Sequence, residues 1–370
     1  MRQVRRSHRR MPVARVVSLL IVAVLAGGCA ANESRDDGGE ACPPAPSLVR
    51  GVGLSPRGMG LTGRLDPASL LAFYEEVAGI GGSAVLWNGA WRDDAAGGAD
   101  AGAVPAGPRA VASEASERCF TPVPVFGWRS GEIPLIRTAS DPANDWTNAD
   151  ARQRYASMLG TFAAEYQPPY VFLGNENDFY FEQAPEDYAR WVVAYDEAYD
   201  AIKAASPQTL VGPVFNYEHL AGLGGLNGWS TPLWGALDAH DLTKVDIVGL
   251  SLYPFFGTAE PSAVPVDYLE PLSARIGGRP IAITETGWPA EHPAGFTAPW
   301  SAGEQAQVAY VERLTALLDG RDVRLANWLL LHALRDSGPE SQAWQVFGSV
   351  SLRDAAGERR PAYEAWFARP

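Results

Sequence analysis

The sequence predicts a single (β/α)8 TIM barrel, and three observations carry the prediction. Eight apolar runs of strand length, rich in β-branched residues, recur at 48–54, 83–87, 121–128, 170–174, 209–215, 247–253, 281–284 and 325–331. Stretches of helical periodicity separate them, and strands alternating with helices pair in parallel through crossovers. Two glutamates, Glu176 and Glu285, end the fourth and seventh runs, and C-terminal strand ends are where such a barrel carries its chemistry. The chain has 370 residues, 46% of them apolar, enough for one large core. A barrel of this kind takes roughly 250 residues plus insertions, and it is expected over 47–370.

Ahead of the barrel, residues 1–28 hold Arg2, Arg5, Arg6, Arg9, Arg10 and Arg15, no acid, and an apolar run from Val16 to Ala26. Gly27 and Gly28 then precede Cys29. The order of basic, apolar and small residues is that of an export signal. It resembles a bacterial lipoprotein signal, which implies Cys29 as a lipidated N-terminus and a membrane-anchored protein of the cell envelope. The spacing departs from that family in one respect: Leu25 stands four residues before the cysteine, where the family has its leucine at three. Ordinary cleavage and an uncleaved anchor stay open, although the apolar run is shorter than the roughly 20 residues of a spanning helix. Residues 29–46 are polar, with Gly and Pro, and read as a flexible tether. Cys42 and Cys119 are then the remaining cysteines. In an oxidising compartment they form either a disulfide or two free thiols.

Helices are read from caps and periodicity. Asp66-Pro67 is a cap and first-turn pair before Leu70, Leu71, Phe73, Tyr74 and Val77. Tyr155, Leu159, Phe162 and Tyr166 repeat at helical spacing, as do Tyr188, Trp191, Val192, Tyr195, Tyr199 and Ile202. Both stripes read as helix faces packed on a sheet. Ser301-Ala-Gly-Glu304 has capping-box spacing ahead of Val308, Val311, Leu314 and Leu318. Pro361 to Phe367 fits a last short helix. Residues 93–118 are Ala/Gly-rich with little pattern, and the second helix is expected inside them. Residues 220–240 read as a long loop; their glycines lack the GK[ST] of a phosphate loop.

Charge and residue usage remove several function classes. The whole chain carries −13, and from Cys29 onward 43 acids face 24 bases, or −19. Nucleic-acid binding needs a basic face that this composition does not offer. His8, His219, His240, His292 and His332 show no HExxH or paired-ligand spacing, so no metal site is expected. There is no G-x-S-x-G elbow, and Cys119 has no evident catalytic partner. No cofactor is expected.

What remains is the pair of carboxylates. Glu176 closes Tyr170-Val-Phe-Leu-Gly-Asn-Glu176 and Glu285 closes Ile281-Ala-Ile-Thr-Glu285. A carboxylate just past a buried strand costs free energy unless it has a task there. Two of them match the acid/base and nucleophile that cleave a glycosidic bond with retention, where the acid needs a raised pKa. The local sequences resemble clan A glycoside hydrolases. Leu173-Gly-Asn-Glu176 is similar to that clan's fourth-strand motif, which implies Asn175 on a sugar 2-hydroxyl and Glu176 as acid/base. Thr284-Glu-Thr-Gly-Trp-Pro289 resembles the seventh-strand nucleophile motif. It is closest to that of endo-1,3-β-glucanases and looser to that of endo-1,4-β-galactanases. Asp246-Ile-Val-Gly-Leu-Ser-Leu-Tyr-Pro254 resembles the sixth strand, implying that Tyr253 hydrogen-bonds Glu285. Asn327-Trp-Leu-Leu-Leu-His332 is similar to the eighth, where an aromatic lines the subsite. Phe347-Gly-Ser-Val and Arg360-Pro-Ala-Tyr-Glu-Ala-Trp366 resemble the usual tail, with Arg360 where lysine is common. The resemblance spans roughly 120–370.

Sugar sites also want flat apolar faces. Trp288 is a candidate platform, and Trp328 either lines the subsite or fills the barrel wall. Trp87, Trp91, Trp128, Asn216, Tyr217 and His332 stand at or just past strand ends, where each either touches ligand or packs a loop. The expectation is an exported, lipid-anchored retaining glycosidase acting on β-linked glycan, without metal, cofactor or nucleic acid. Two alternatives stay open: a transglycosylase, and a glycan-binding lipoprotein that has lost its chemistry.

Overall fold

The computed structural model describes residues 42, 44–60, 66–81, 83–90, 104–127, 146–292, 298–334 and 346–368. The leader at 1–28, Cys29, most of the tether, Trp91 and Trp128 lie outside the described residues. Eight parallel strands close into a barrel in sequence order. They are β1 (Val49–Gly53), β2 (Ser83–Ala90), β3 (Thr121–Gly127), β4 (Tyr170–Leu173), β5 (Leu210–Asn216), β6 (Val248–Leu252), β7 (Ile281–Thr286) and β8 (Val323–Trp328). The helices are α1 (Pro67–Ile80), α2 (Ala106–Arg118), α3 (Ala149–Tyr166), α4 (Asn177–Gln183), α5 (Pro185–Ala205), α6 (Tyr217–Leu220), α7 (Gly235–Asp238), α8 (Glu270–Ser273), α9 (Glu304–Leu318) and α10 (Pro361–Phe367). Among the described residues no helix is long and apolar enough to cross a membrane.

Strand alternation sorts the side chains into two cores. Val49, Ala84, Leu86, Val123, Val125, Phe172, Val214, Ala282 and Leu325 fill the barrel interior. Strand residues of the opposite phase, among them Val52, Val85, Phe126, Val171, Leu173, Val211, Leu250, Ile283 and Ala326, face the helices. Both faces of each strand are therefore buried, which explains continuous apolar runs. The expected aromatic stripes supply the facing helical side: Tyr155, Leu159 and Phe162 from α3, and Tyr188, Trp191, Tyr195 and Ile202 from α5, are buried.

Local signals behave unevenly. Asp66 caps α1 by accepting from Ser69 N at 3.0 Å. The capping box at Ser301 does not form: α9 starts at Glu304 behind Gly303, with no side-chain cap. Ser301 is engaged elsewhere, its N–H on Ala259 O at 2.7 Å and its carbonyl taking Trp288 Nε1 at 2.9 Å. Glu304 turns to Arg360, 3.3 Å away. The second helix does lie in the featureless stretch, as α2, buried through Val111, Ala112 and Ala115. Cys42 and Cys119 are bonded, tying the chain ahead of β1 to the end of α2.

Candidate active site

Glu176 reaches the mouth through an abrupt turn. β4 ends at Leu173, Gly174 takes φ 75°, and Glu176 itself is left-handed (φ 52°, ψ 52°) at the head of α4. A non-glycine residue in that region costs about 1–3 kcal/mol, and such strain clusters at functional sites. The turn leaves Glu176 only 1% exposed. Its Oε1 accepts from Asn216 Nδ2 at 3.1 Å, while Oε2 has no partner among the described residues. Burial first, then the charges of Glu285 and Asp178, hold this carboxyl well above the ordinary range; Asn216 and Ser251 oppose them more weakly.

Glu285 arrives by a different device. In strict alternation Ala282 faces in, Ile283 out and Thr284 in, so Glu285 would face the helices. The register shifts instead: Ile283 pairs with Leu250, and the next β6 partner, Ser251, pairs with Glu285. Toward β8, Ile283 pairs with Ala326 and Thr286 with Trp328, so Thr284 and Glu285 both oppose Asn327. This is a bulge, a device that re-aims side chains beside active sites. It turns Glu285 inward and leaves Thr286 facing out, on Tyr310. Glu285 Oε1 accepts from Asn88 Nδ2 at 3.1 Å and Oε2 from Tyr253 OH at 3.2 Å. Burial raises its pKa, and those two donors pull it back down. Burial works on both carboxyls, but two donors support the charged form of Glu285 while Glu176 also meets the charges of Glu285 and Asp178, so ionisation is opposed more strongly at Glu176.

Tyr253 is itself held. Its N–H donates to Glu218 Oε2 at 2.8 Å, and Tyr268 OH donates to Glu218 Oε1 at 3.0 Å. Burial pushes the Glu218 carboxyl up to about 7 against those two bonds. Asn175 stands half-buried beside Glu176, and its Oδ1 has no partner among the described residues. Gly127 leaves room for the rim here: a Cβ on it would lie 3.1 Å from Asn88 Oδ1 and 3.3 Å from Asn175 Cβ.

Of the expected site residues, the fold brings together Glu176, Glu285, Asn175, Asn216 and Tyr253. Three tryptophans go elsewhere. Trp87 lies between inward Leu86 and inward Asn88, so it faces out, edge-on to Phe126. Trp328 follows inward Asn327 and packs on Trp366, which settles it in the barrel wall. Trp288 is fully buried against Phe255 and Tyr310 and presents no platform. His332 is drawn to Glu76, 3.1 Å away, which also binds Arg353. Tyr217 is buried with its hydroxyl on Tyr268 O. Asn88, Ser251, Glu218 and Asp178 were not anticipated. Asn88 carried one signal, a polar residue directly after an apolar strand run. Among the described residues no cluster of His, Cys, Asp or Glu is arranged for a metal.

No family model and no curated protein matches the sequence. Solved structures do. An exo-β-1,4-mannosidase from Opitutaceae bacterium strain TAV5 superposes with TM-score 0.62 at 16% identity, over 86% of this chain and 58% of that one. A GH5_18 protein from Bifidobacterium longum subsp. longum, solved with Manβ1-4GlcNAc, gives 0.61 at 15%, over 86% and 77%. A family 39 glycoside hydrolase from Bacteroides cellulosilyticus WH2 gives 0.57 at 17%, over 88% and 64%. The chain thus spans less than two-thirds of the mannosidase and of the family 39 protein. At these identities the likeness is one of fold: this chain has the eight-stranded parallel barrel on which clan A glycoside hydrolases are built.

Proposed function

We propose that the protein is an exported, lipid-anchored retaining glycoside hydrolase of β-linked glycans, with Glu176 as acid/base and Glu285 as nucleophile. The observation that carries this reading is the contrast between two carboxyls at the ends of β4 and β7, Glu176 buried and Glu285 half-buried. Glu285 has a donor on each oxygen, whereas Glu176 has one oxygen without a partner among the described residues and its charge opposed by burial and neighbours. Environments that separate two carboxyls in this way assign an acid and a base. Protonated Glu176 gives its proton to the glycosidic oxygen as that bond to the anomeric carbon breaks. Glu285 attacks the same carbon from the opposite side and forms a glycosyl ester. Glu176, now a carboxylate, takes a proton from water, which displaces Glu285 and restores both groups. A sugar hydroxyl in place of water makes the same cycle a transglycosylation. Asn175, whose Oδ1 has no partner among the described residues, serves the 2-hydroxyl.

The motif around Glu285 puts β-glucan first among substrates and β-galactan next. Export and anchoring rest on the arginine-rich, apolar leader ending at Cys29. The test is product release from β-glucans, galactans, xylans and mannans by protein beginning at residue 30, which keeps Cys42 for Cys119, beside its Glu285→Gln variant. Cleavage of one polymer, lost in the variant with the fold intact, is expected. Binding without cleavage would replace the enzyme by a glycan-binding lipoprotein, and wild-type rates in the variant would remove Glu285 from the chemistry.

A further inference from the structure

Two residues beyond Glu176, Asp178 is fully buried, and the double displacement has no step for it. Its Oδ1 accepts the backbone N–H of Asn216 at 2.7 Å. Its Oδ2 lies 2.8 Å from His219 Nδ1. His219 returns to the same residue, its backbone N–H donating to Asn216 Oδ1 at 3.2 Å. Asn216 is thereby fixed at its backbone nitrogen and its side-chain oxygen, leaving Nδ2 to donate to Glu176. The imidazole has no freedom to release the pair. It stacks on Phe179 with ring centroids 4.2 Å apart, meets Trp229 at 4.9 Å, and is 2% exposed.

On the reading of Glu176 as acid/base, we propose that Asp178, paired with His219, is its positioning residue: it fixes Asn216 against Glu176 and sets a second carboxyl behind that contact. A donor from Asn216 alone would favour the ionised form of Glu176 and spoil a general acid. A second carboxylate behind Asn216 works the other way, since like charges in a low-dielectric site resist ionising together. The charge of Asp178 does contribute to raising Glu176, after burial and after Glu285. Other ionisable groups frame the pair. Glu285 and Tyr253 face Glu176 from the β6–β7 side. Around Asp178 stand His219 and Glu218 of α6 and Tyr188 of α5. Glu182 lies 3.4 Å from His219 Nε2.

Asp178→Asn tests this with little disturbance, because an asparagine can still accept from Asn216 N and donate to the other tautomer of His219. The alkaline limb of the kcat/KM profile reports the acid in the free enzyme. It is expected to move to lower pH in Asp178→Asn and to stay near wild type in Asp178→Glu. Coincident limbs for wild type and Asp178→Asn, at retained rate, would overturn the proposal while leaving the glycosidase reading intact. Should Asp178→Asn fail to fold, a carboxyl carbon-13 titration of the wild-type protein decides. Asp178 ionised at a pH where Glu176 is still protonated is expected, and Asp178 protonated there would overturn the proposal. If the wild type cleaves no glycan, the reading of Glu176 falls, and this titration still decides the pair.

Discussion

Tyr253→Phe isolates a single hydrogen bond at the candidate nucleophile. The phenol donates to Glu285 Oε2 at 3.2 Å, and a hydrogen bond to a charged group contributes about 1.5–3 kcal/mol. The charge on Glu285 falls as it bonds to the anomeric carbon, so the bond itself weakens toward the transition state and its energy alone would not slow the step. What the phenol supplies is the aim of Glu285, and loosening that aim should lower kcat/KM by roughly tenfold. A second signature carries a sign. Tyr253 lowers the pKa of Glu285, and the rate requires Glu285 ionised, so losing the phenol moves the acid limb to higher pH. Phenylalanine keeps the ring, which meets Phe347 at 5.2 Å, Phe255 at 5.7 Å and Phe256 at 6.1 Å, so the melting temperature should hold. The assay is a pH series of kcat/KM on the polymer that the wild type cleaves, with a melt of each protein beside it. A rate within about twofold of wild type, with the acid limb unmoved, would refute the role given to Tyr253.

Two further outcomes follow from burial and connectivity. Trp288→Ala should cost about 3–5 kcal/mol of stability, read by denaturant unfolding, because the ring is core; unchanged stability with a raised KM would return it to the sugar site. Breaking the Cys42–Cys119 bond, which spans a sequence separation of 77, should cost roughly 4 kcal/mol through the entropy of the unfolded chain. Matching melts with and without reductant, or for Cys119→Ser, would count against it.

The barrel was legible because its strands are buried on both faces and so stand out as continuous apolar runs. Both glutamates were legible because a carboxylate directly after such a run is costly. Which face a residue takes was much harder to read. Trp87 and Trp328 are each one position from an inward asparagine, Asn88 and Asn327, so a one-residue difference in phase sends the large ring to the helices and the amide to the barrel. Apolar content cannot set that phase when both faces are apolar. The helix α2 was hidden for another reason: it buries mainly small side chains, Ala112 and Ala115 beside Val111, and so shows no amphipathic stripe. Ser301 lost its expected capping role to tertiary bonds that no local pattern announces.

The bulge in β7 joins the legible and illegible parts, since without it alternation would aim Glu285 at the helix layer. Skipping a residue interrupts the ladder, and buried carbonyls left over need donors. Two threonines supply them: Thr284 Oγ1 donates to Leu250 O at 3.1 Å, and Thr286 Oγ1 to Leu252 O at 2.7 Å. These hydroxyls bracket Glu285 and clip β7 to β6 on either side of it. Thr284→Val keeps the shape, the branching and the burial while removing the nearer clip. The loss in stability should be about 1 kcal/mol, with a fall in kcat that exceeds any change in KM, because what loosens is the aim of Glu285 and not the sugar site. Thr284→Ser restores the hydroxyl and should recover most of kcat. If Thr284→Val matches the wild type in both stability and kcat, the hydroxyl does not hold the bulge, and the aim of Glu285 rests on the backbone register alone.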